Sequence, residues 1–258
     1  MLAVSEPHHT AAIAPAVTSN GPVGAVTNAV RILDHLASSQ GPLRLTQISR
    51  PLGINTSTCL NILRTLVAEG LVRADGAAKT YGLGRRLVEL AREALNHGEN
   101  LGTLRPAMDS LALKYGVTLM LWGRLDADNL ILLAASVGEP MRSIHVELGL
   151  RVPLLTGSMG RLFAADLGET ELRKRFDAVA WQKPLPFETY LSQVEEAGER
   201  GWALDAGYLN TAIWGISAPV AHRGAPIDRT INAALLADQR DPDAIDRIAH
   251  DLVLLGQL

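Results

Sequence analysis

Disulfide chemistry and cysteine-rich metal sites are missing from this sequence, which holds one cysteine, Cys59, in 258 residues. An intramolecular disulfide needs two thiols, so a reducing cytoplasm is the expected location. Long apolar runs are also missing: no uncharged apolar run approaches the ~18–20 residues that span a bilayer, and no membrane partner is expected. The opening MLAVSEPHHT places no basic segment ahead of an apolar one, so no secretory signal is expected. Aromatic residues make up only 4%, yet 47% of the chain is apolar, enough for a packed core and too much for disorder throughout. There is no positive excess either. The formal net charge is −3, which taken whole speaks against a nucleic-acid partner.

That charge is unevenly spread. Residues 1–24 carry one acidic and no basic side chain and are rich in Ala, Pro, Ser and Thr, a composition that reads as a disordered tail. From Ala25 to Leu95 there are nine basic and five acidic residues; from Glu99 to Leu258 there are 15 and 21. A basic block followed by an acidic one suggests two domains with different partners, although a merely solvated basic surface fits the charge equally well.

In the basic block, Val26, Val30, Leu33 and Leu36 recur at helical spacing until Gly41-Pro42 breaks the pattern. Leu45–Leu52 reads as a short second helix with Thr46 as a candidate cap. Asn55-Thr56 opens a third helix, whose apolar stripe is Cys59, Ile62, Leu63 and Leu66, closed by Gly70. Two strands follow, Leu71–Arg73 and Lys79–Leu83, around the turn Asp75-Gly76-Ala77-Ala78. A fourth helix runs from Gly84 to about His97 and ends at the boundary 96–100.

Two helices with a tight turn, then a hairpin, is the arrangement that projects a second helix into a DNA major groove. The polar face of the third helix carries Thr56, Ser57, Thr58, Leu60, Asn61 and Arg64, with 57, 61 and 64 on one side. Short hydroxyls allow close approach to phosphates, Asn61 suits adenine, and Arg64 suits guanine or a phosphate. Arg44 and Thr46 sit where a helix start meets the backbone, and Lys79 lies on the hairpin. Each alone reads equally as plain surface; the arrangement reads as a DNA-binding face.

These segments resemble the IclR-type bacterial transcription regulators. The resemblance begins at Ala25–Leu33 and continues through Leu45–Ile48, Leu52–Thr58, Leu63–Val72 and Tyr81–Gly84. It returns at Gly149–Arg161 and at Arg200–Asp205. It implies an α+β protein with an N-terminal winged helix-turn-helix (25–84), a linker helix (85–100) and a C-terminal effector-binding domain (101–258) similar to GAF and profilin folds. It further implies homodimers, often paired into tetramers, that bind double-stranded operator DNA and control a catabolic or metabolic operon in response to a small organic acid. Three positions depart from the family pattern. Asn61 stands where an Arg is usual, Ile231-Asn232-Ala233-Ala234 replaces a serine-bearing strand, and Gly215 falls where some relatives place a pocket cysteine.

Helical and strand patterns alternate through 101–258, with helices at 104–115, 158–167, 169–178 and 190–200. Strands are expected at 118–125, 130–136, 142–148, 214–220 and 227–236, with hairpin spacing that favours a mainly antiparallel sheet. Thr156-Gly157-Ser158-Met159-Gly160 precedes a helix: small residues and a helix N-terminus suit a carboxylate, and equally describe an ordinary capped turn. Arg142, Ile144 and Val146 share one strand face, either as a carboxylate partner with apolar wall or as strand-end surface. Asp205, which the resemblance sets beside the pocket, reads as a hydroxyl acceptor or as a turn former. Met159 and Trp214 read as cover for an aromatic ligand or as core.

No cofactor or metal is expected. The seven histidines show no ligand spacing, no Gly-x-Ser-x-Gly elbow occurs, and Cys59 lies on an apolar stripe. The leading expectation is therefore a ligand-responsive DNA-binding regulator rather than an enzyme. The alternatives are a sensor whose first module contacts proteins, and a metabolite-modifying enzyme in the second domain.

Overall fold

The computed structural model describes residues 21–97, 101–139, 144, 146–220, 226–236 and 241–258. The chain divides into two compact units, 1–93 and 94–258. The expected tail therefore lies almost wholly outside the described residues, as does Arg142.

In the first unit α1 (Gly24–Ala37), β1 (Leu43–Arg44), α2 (Leu45–Leu52) and α3 (Thr56–Ala68) precede the hairpin β2 (Val72–Asp75) and β3 (Thr80–Leu83). β1 pairs with β3 to make a three-stranded antiparallel sheet in the order β1-β3-β2. Ile32, Leu36, Ile48, Ile54, Cys59, Leu63, Leu66 and Val72 form its core. The α1 stripe read from spacing holds in its second half only: Leu36 is buried with Ile32 and Leu33 packs against the core, while Val26 and Val30 stay 62% and 53% exposed. Apolar residues occupy two faces of that helix, and periodicity alone does not say which is buried.

Gly53, with φ of 64°, closes α2 in the left-handed conformation that glycine adopts without strain. Asn55 then caps α3, its Oδ1 accepting from the Ser57 amide at 3.1 Å and the Ser57 hydroxyl at 2.9 Å. Thr46 is not the cap of α2. That helix starts at Arg44, whose amide donates to Gln47 Oε1 at 2.8 Å. Two long side chains clamp α1 onto α2: Arg31 donates to the Leu52 carbonyl at 2.8 Å, and His35 Nε2 to the Gln47 carbonyl at 3.0 Å. α4 (Arg86–His97) follows the hairpin.

The second unit opens with α5 (Leu101–Tyr115), β4 (Thr118–Arg124), β5 (Asn129–Val137) and β6 (Arg151–Pro153). It continues with α6 (Gly157–Ala164), α7 (Glu169–Asp177), α8 (Phe187–Arg200), β7 (Ala203–Asp205), β8 (Ile213–Val220), β9 (Arg229–Leu236) and α9 (Pro242–Leu255). The six strands form one antiparallel sheet in the order β6-β5-β4-β9-β8-β7. The strand expected over 142–148 does not form among its described residues. Ile144, Val146 and Glu147 are irregular and Leu148-Gly149 make a turn; the short β6 holds the sheet edge instead.

Strand β4 sits centrally, so both its faces are covered. Leu119 and Leu121 join the core beneath α5 and α9, while Met120 and Trp122 face the side of α6, α7 and α8. Its register against β5 shifts between Leu121 and Trp122, leaving Leu133 as an extra residue. α9 lies outside the elements read from the sequence, although Asp241 caps it, accepting from Asp243 at 3.2 Å, and Pro242 occupies its first turn. No helix among the described residues is long and apolar enough to cross a membrane.

Leu63 has no solvent exposure and sits between α1, α2 and the hairpin in the small core of the first unit. Leu63→Ala is expected to destabilise that unit by about 2–5 kcal/mol, read as an earlier transition in urea unfolding followed by circular dichroism.

Candidate DNA-reading surface and ligand cavity

On α3 the buried stripe of Cys59, Leu63 and Leu66 turns the opposite face outward, and Thr56, Ser57, Thr58, Asn61 and Arg64 are all exposed. Leu60 is half-buried at the edge of that face. Ser57 is partly engaged already, since its hydroxyl donates to the capping Asn55. Arg44 and Thr46, at the start of α2, are exposed, and so is Lys79, which takes a φ of 52° in the hairpin turn. All nine residues expected to contact DNA are thus at the surface or its edge. Burial pushes the Cys59 thiol above its ordinary value, which keeps it protonated and unreactive.

In the second unit a cavity of about 330 Å³ opens against the sheet at the start of α6. Met120 and Trp122 of β4, Ile144, Val146 and Val152, and Leu209 and Ile213 supply apolar wall. Its polar groups come from Thr156, Ser158, Asp205, Asn210 and Asn232. Of the expected ligand contacts, Ile144, Val146, Ser158, Met159 and Asp205 line it together.

Gly160 and Trp214 do not line it. A Cβ on Gly160 would lie 2.2 Å from the Leu155 backbone, so that glycine serves the close packing of α6 on the preceding loop. Trp214 packs against the core on the other face of the sheet. Trp122, Met120, Asn232 and Gly215 are not among the expected contacts; β4 is covered on both faces, so no apolar–polar alternation singles out the first two. The Trp122 Nε1 is buried without a hydrogen-bond partner.

Asp205 touches the cavity, and both of its oxygens accept from protein donors. Oδ1 accepts from the Tyr208 amide at 2.7 Å, and Oδ2 from the Leu209 amide at 3.4 Å and from Arg161 Nη1 at 3.5 Å. The carboxylate fastens the turn after β7, the turn-forming half of its sequence reading, and it also reaches the cavity wall. Arg161, 1% exposed, also donates to the Gly157 carbonyl at 2.7 Å and to Gln193 Oε1 at 2.9 Å. Its guanidinium lies 5.3 Å from the ring centre of Tyr190, whose phenol burial pushes far above the ordinary range.

A second polar cluster is built from three neutral groups. The Ser158 and Ser217 hydroxyl oxygens are 2.7 Å apart, and Asn232 Nδ2 lies 3.1 Å and 3.0 Å from them. Among the described residues, no group of three or more His, Cys, Asp or Glu is placed to hold a metal.

A polar-faced helix braced in a three-helix unit, followed by a sheet with a cavity against it, matches known proteins in both halves. Residues 25–76 match the IclR helix-turn-helix domain, and residues 93–252 match the bacterial transcriptional regulator IclR C-terminal domain. The chain belongs to the IclR family. It is 30% identical to the glycerol operon regulatory protein of Streptomyces coelicolor over 208 residues, 78% of this chain and 80% of that one. A crystal structure of an IclR transcriptional regulator from Alicyclobacillus acidocaldarius superposes with a TM-score of 0.75 at 26% identity, covering 92% of this chain and 97% of the other. An IclR homologue from Microbacterium hydrocarbonoxydans, solved in complex with 4-hydroxybenzoate, has the same fold. Its TM-score is 0.68 at 19% identity, over 90% and 97% of the two chains. This IclR-family chain is accordingly a helix-turn-helix transcription regulator with a C-terminal effector domain, and not an enzyme.

Because Arg161 and Asp205 are both sealed from water, removing one strands the other. Arg161→Ala is expected to destabilise the effector unit by roughly 3–5 kcal/mol, measured by denaturant unfolding of the full chain.

Proposed function

We propose that this regulator controls a catabolic or metabolic operon and senses a small organic acid with an apolar body through the cavity beside α6. The observation that carries this reading is the cavity itself: about 330 Å³, walled mainly by aliphatic and aromatic side chains, and closed at one end by Thr156, Gly157 and Ser158 at the start of a helix. Apolar wall with a few convergent polar groups is the usual build of a small-molecule site. The first amides of α6 lack intrahelical acceptors and carry the positive end of the helix dipole, which favours a carboxylate. Arg142 lies outside the described residues and remains a proposed partner for that carboxylate. The 4-hydroxybenzoate held by the Microbacterium hydrocarbonoxydans homologue is an acid of this size and class.

On the DNA side, α3 enters a major groove, with Thr56, Ser57, Thr58, Leu60, Asn61 and Arg64 toward the bases and phosphates. Arg44, Thr46 and Lys79 hold the backbone. The regulator works in the cytoplasm as a homodimer, or as a tetramer of two dimers. The exposed Val26 and Val30 of α1 support self-association, since they leave an apolar strip uncovered in the single chain. Ligand favours one of two preexisting arrangements of the paired DNA-binding units.

An electrophoretic shift on the DNA upstream of its own operon tests this. Specific binding is expected, falling steeply with salt as neutralised phosphates release counterions, and altered by an added organic acid. Absence of any shift at low salt overturns the reading. Arg64→Ala is expected to weaken specific binding by roughly 1–3 kcal/mol, and an unchanged affinity removes Arg64 from the contacts.

A further inference from the structure

The neutral cluster beneath the cavity has a hydrogen count that is not balanced within the protein. Asn232 is only 6% exposed and lines the cavity. Its Nδ2 is 3.3 Å from the Ile216 carbonyl, a group that accepts and never donates, so the amide is oriented with nitrogen toward β8 and the two serines. Nδ2 carries two protons: one goes to that carbonyl, and the other is shared between Ser158 Oγ and Ser217 Oγ. Among the described residues, no group donates to Asn232 Oδ1.

The serine pair leaves one proton over. Of two hydroxyls 2.7 Å apart, one donates to the other and the donor's partner keeps a free O–H. Ser217 has no exposure and does not line the cavity, so a free proton there would be an orphaned buried donor. The satisfied arrangement has Ser217 donating to Ser158, and Ser158 donating into the cavity that it lines. One donor and one acceptor then stand side by side at the cavity wall.

A hydroxyl complements that pair in both directions, accepting from Ser158 and donating to Asn232 Oδ1. A carboxylate does not, because it brings no proton to Oδ1 and sets oxygen against oxygen. Room for the cluster depends on Gly215: a Cβ there would lie 2.8 Å from Ser158 Oγ and 3.3 Å from Asn232 Nδ2. We infer that Asn232, with Ser158, selects a hydroxyl-bearing organic acid, the hydroxyl seated between these two side chains and the carboxylate on the first amides of α6. This inference rests on the acid-sensing reading above and narrows its ligand class.

The test is calorimetric titration of the full chain with matched acids that differ by a hydroxyl: 4-hydroxybenzoate against benzoate, and mandelate against phenylacetate. The hydroxylated member of at least one pair is expected to bind roughly tenfold tighter or more, because without it Ser158 and Asn232 stay unpaired. Asn232→Leu is expected to abolish that preference while the acid still binds. Gly215→Ala, which pushes into the Ser158–Asn232 contact, is expected to reduce it in the same direction and serves if the leucine variant does not fold. Equal binding within both pairs overturns the inference and leaves acid sensing standing. Preference that survives in a folded Asn232→Leu or Gly215→Ala protein removes the role given to this cluster. Binding of none of the four acids overturns the acid-sensing reading, and this inference with it.

Discussion

A guanidinium and a carboxylate sealed from water hold the ligand side of the effector unit together. Arg161 reaches from α6 to the carbonyl of Gly157 at that helix's own start, to Gln193 on α8, and to Asp205 at the end of β7. Asp205 in turn gathers the amides of Tyr208 and Leu209. One ion pair therefore fixes both rims of the cavity, the helix start on one side and the turn before β8 on the other. Its net worth against a well-packed apolar pair is small by general experience. What it supplies here is position: the first amides of α6 and the Leu209 wall cannot move apart without stranding a charge.

The polar residues of the cavity are consequently of two kinds. Asp205 is charged but spent on its own scaffold, while Ser158 and Asn232 are neutral and incompletely paired. A cavity lined by groups of the second kind distinguishes ligands by hydrogen-bond direction more than by charge, which suits a sensor that must tell ligands of the same size apart. The departures from the family pattern at Gly215 and Asn232 fall together in space, where the absence of a side chain at one makes room for the amide of the other.

The first unit was the more legible part of the sequence because its signals are local. Gly53, the Asn55 cap and the stripe of Cys59, Leu63 and Leu66 all act within a few residues of where they are written, and they define the α2–α3 turn directly. α1 was less so, since its two apolar faces are equivalent until neighbours choose one. Strand β1 is two residues long and exists only through its pairing with β3. The cavity was legible in fragments: the 156–160 loop and Val146 were visible, while Met120 and Trp122 were not. Burial of β4 on both faces erases the apolar–polar alternation that would have shown its direction. Asn232 reaches Ser158 only because β9 lies between β4 and β8, a strand order that no local pattern announces. The 142–148 segment had the composition of a strand, but its described residues, 144 and 146–148, form none, and β5 pairs with Arg151–Pro153.

The extra residue at Leu133 gives β5 a change of phase part-way along its length. Leu130 and Leu132, before it, face the cavity side, whereas Leu133 and Ala134 both turn toward α5 and α9. The strand behaves as two short rulers joined half a period out of step. Lengthening or shortening it by one residue on either side of the joint would leave the other half correctly aimed, so the wall of the cavity and the packing of the helices opposite can drift independently in evolution. A sensor built on such a strand can acquire a new ligand without renegotiating the face on which its outer helices rest.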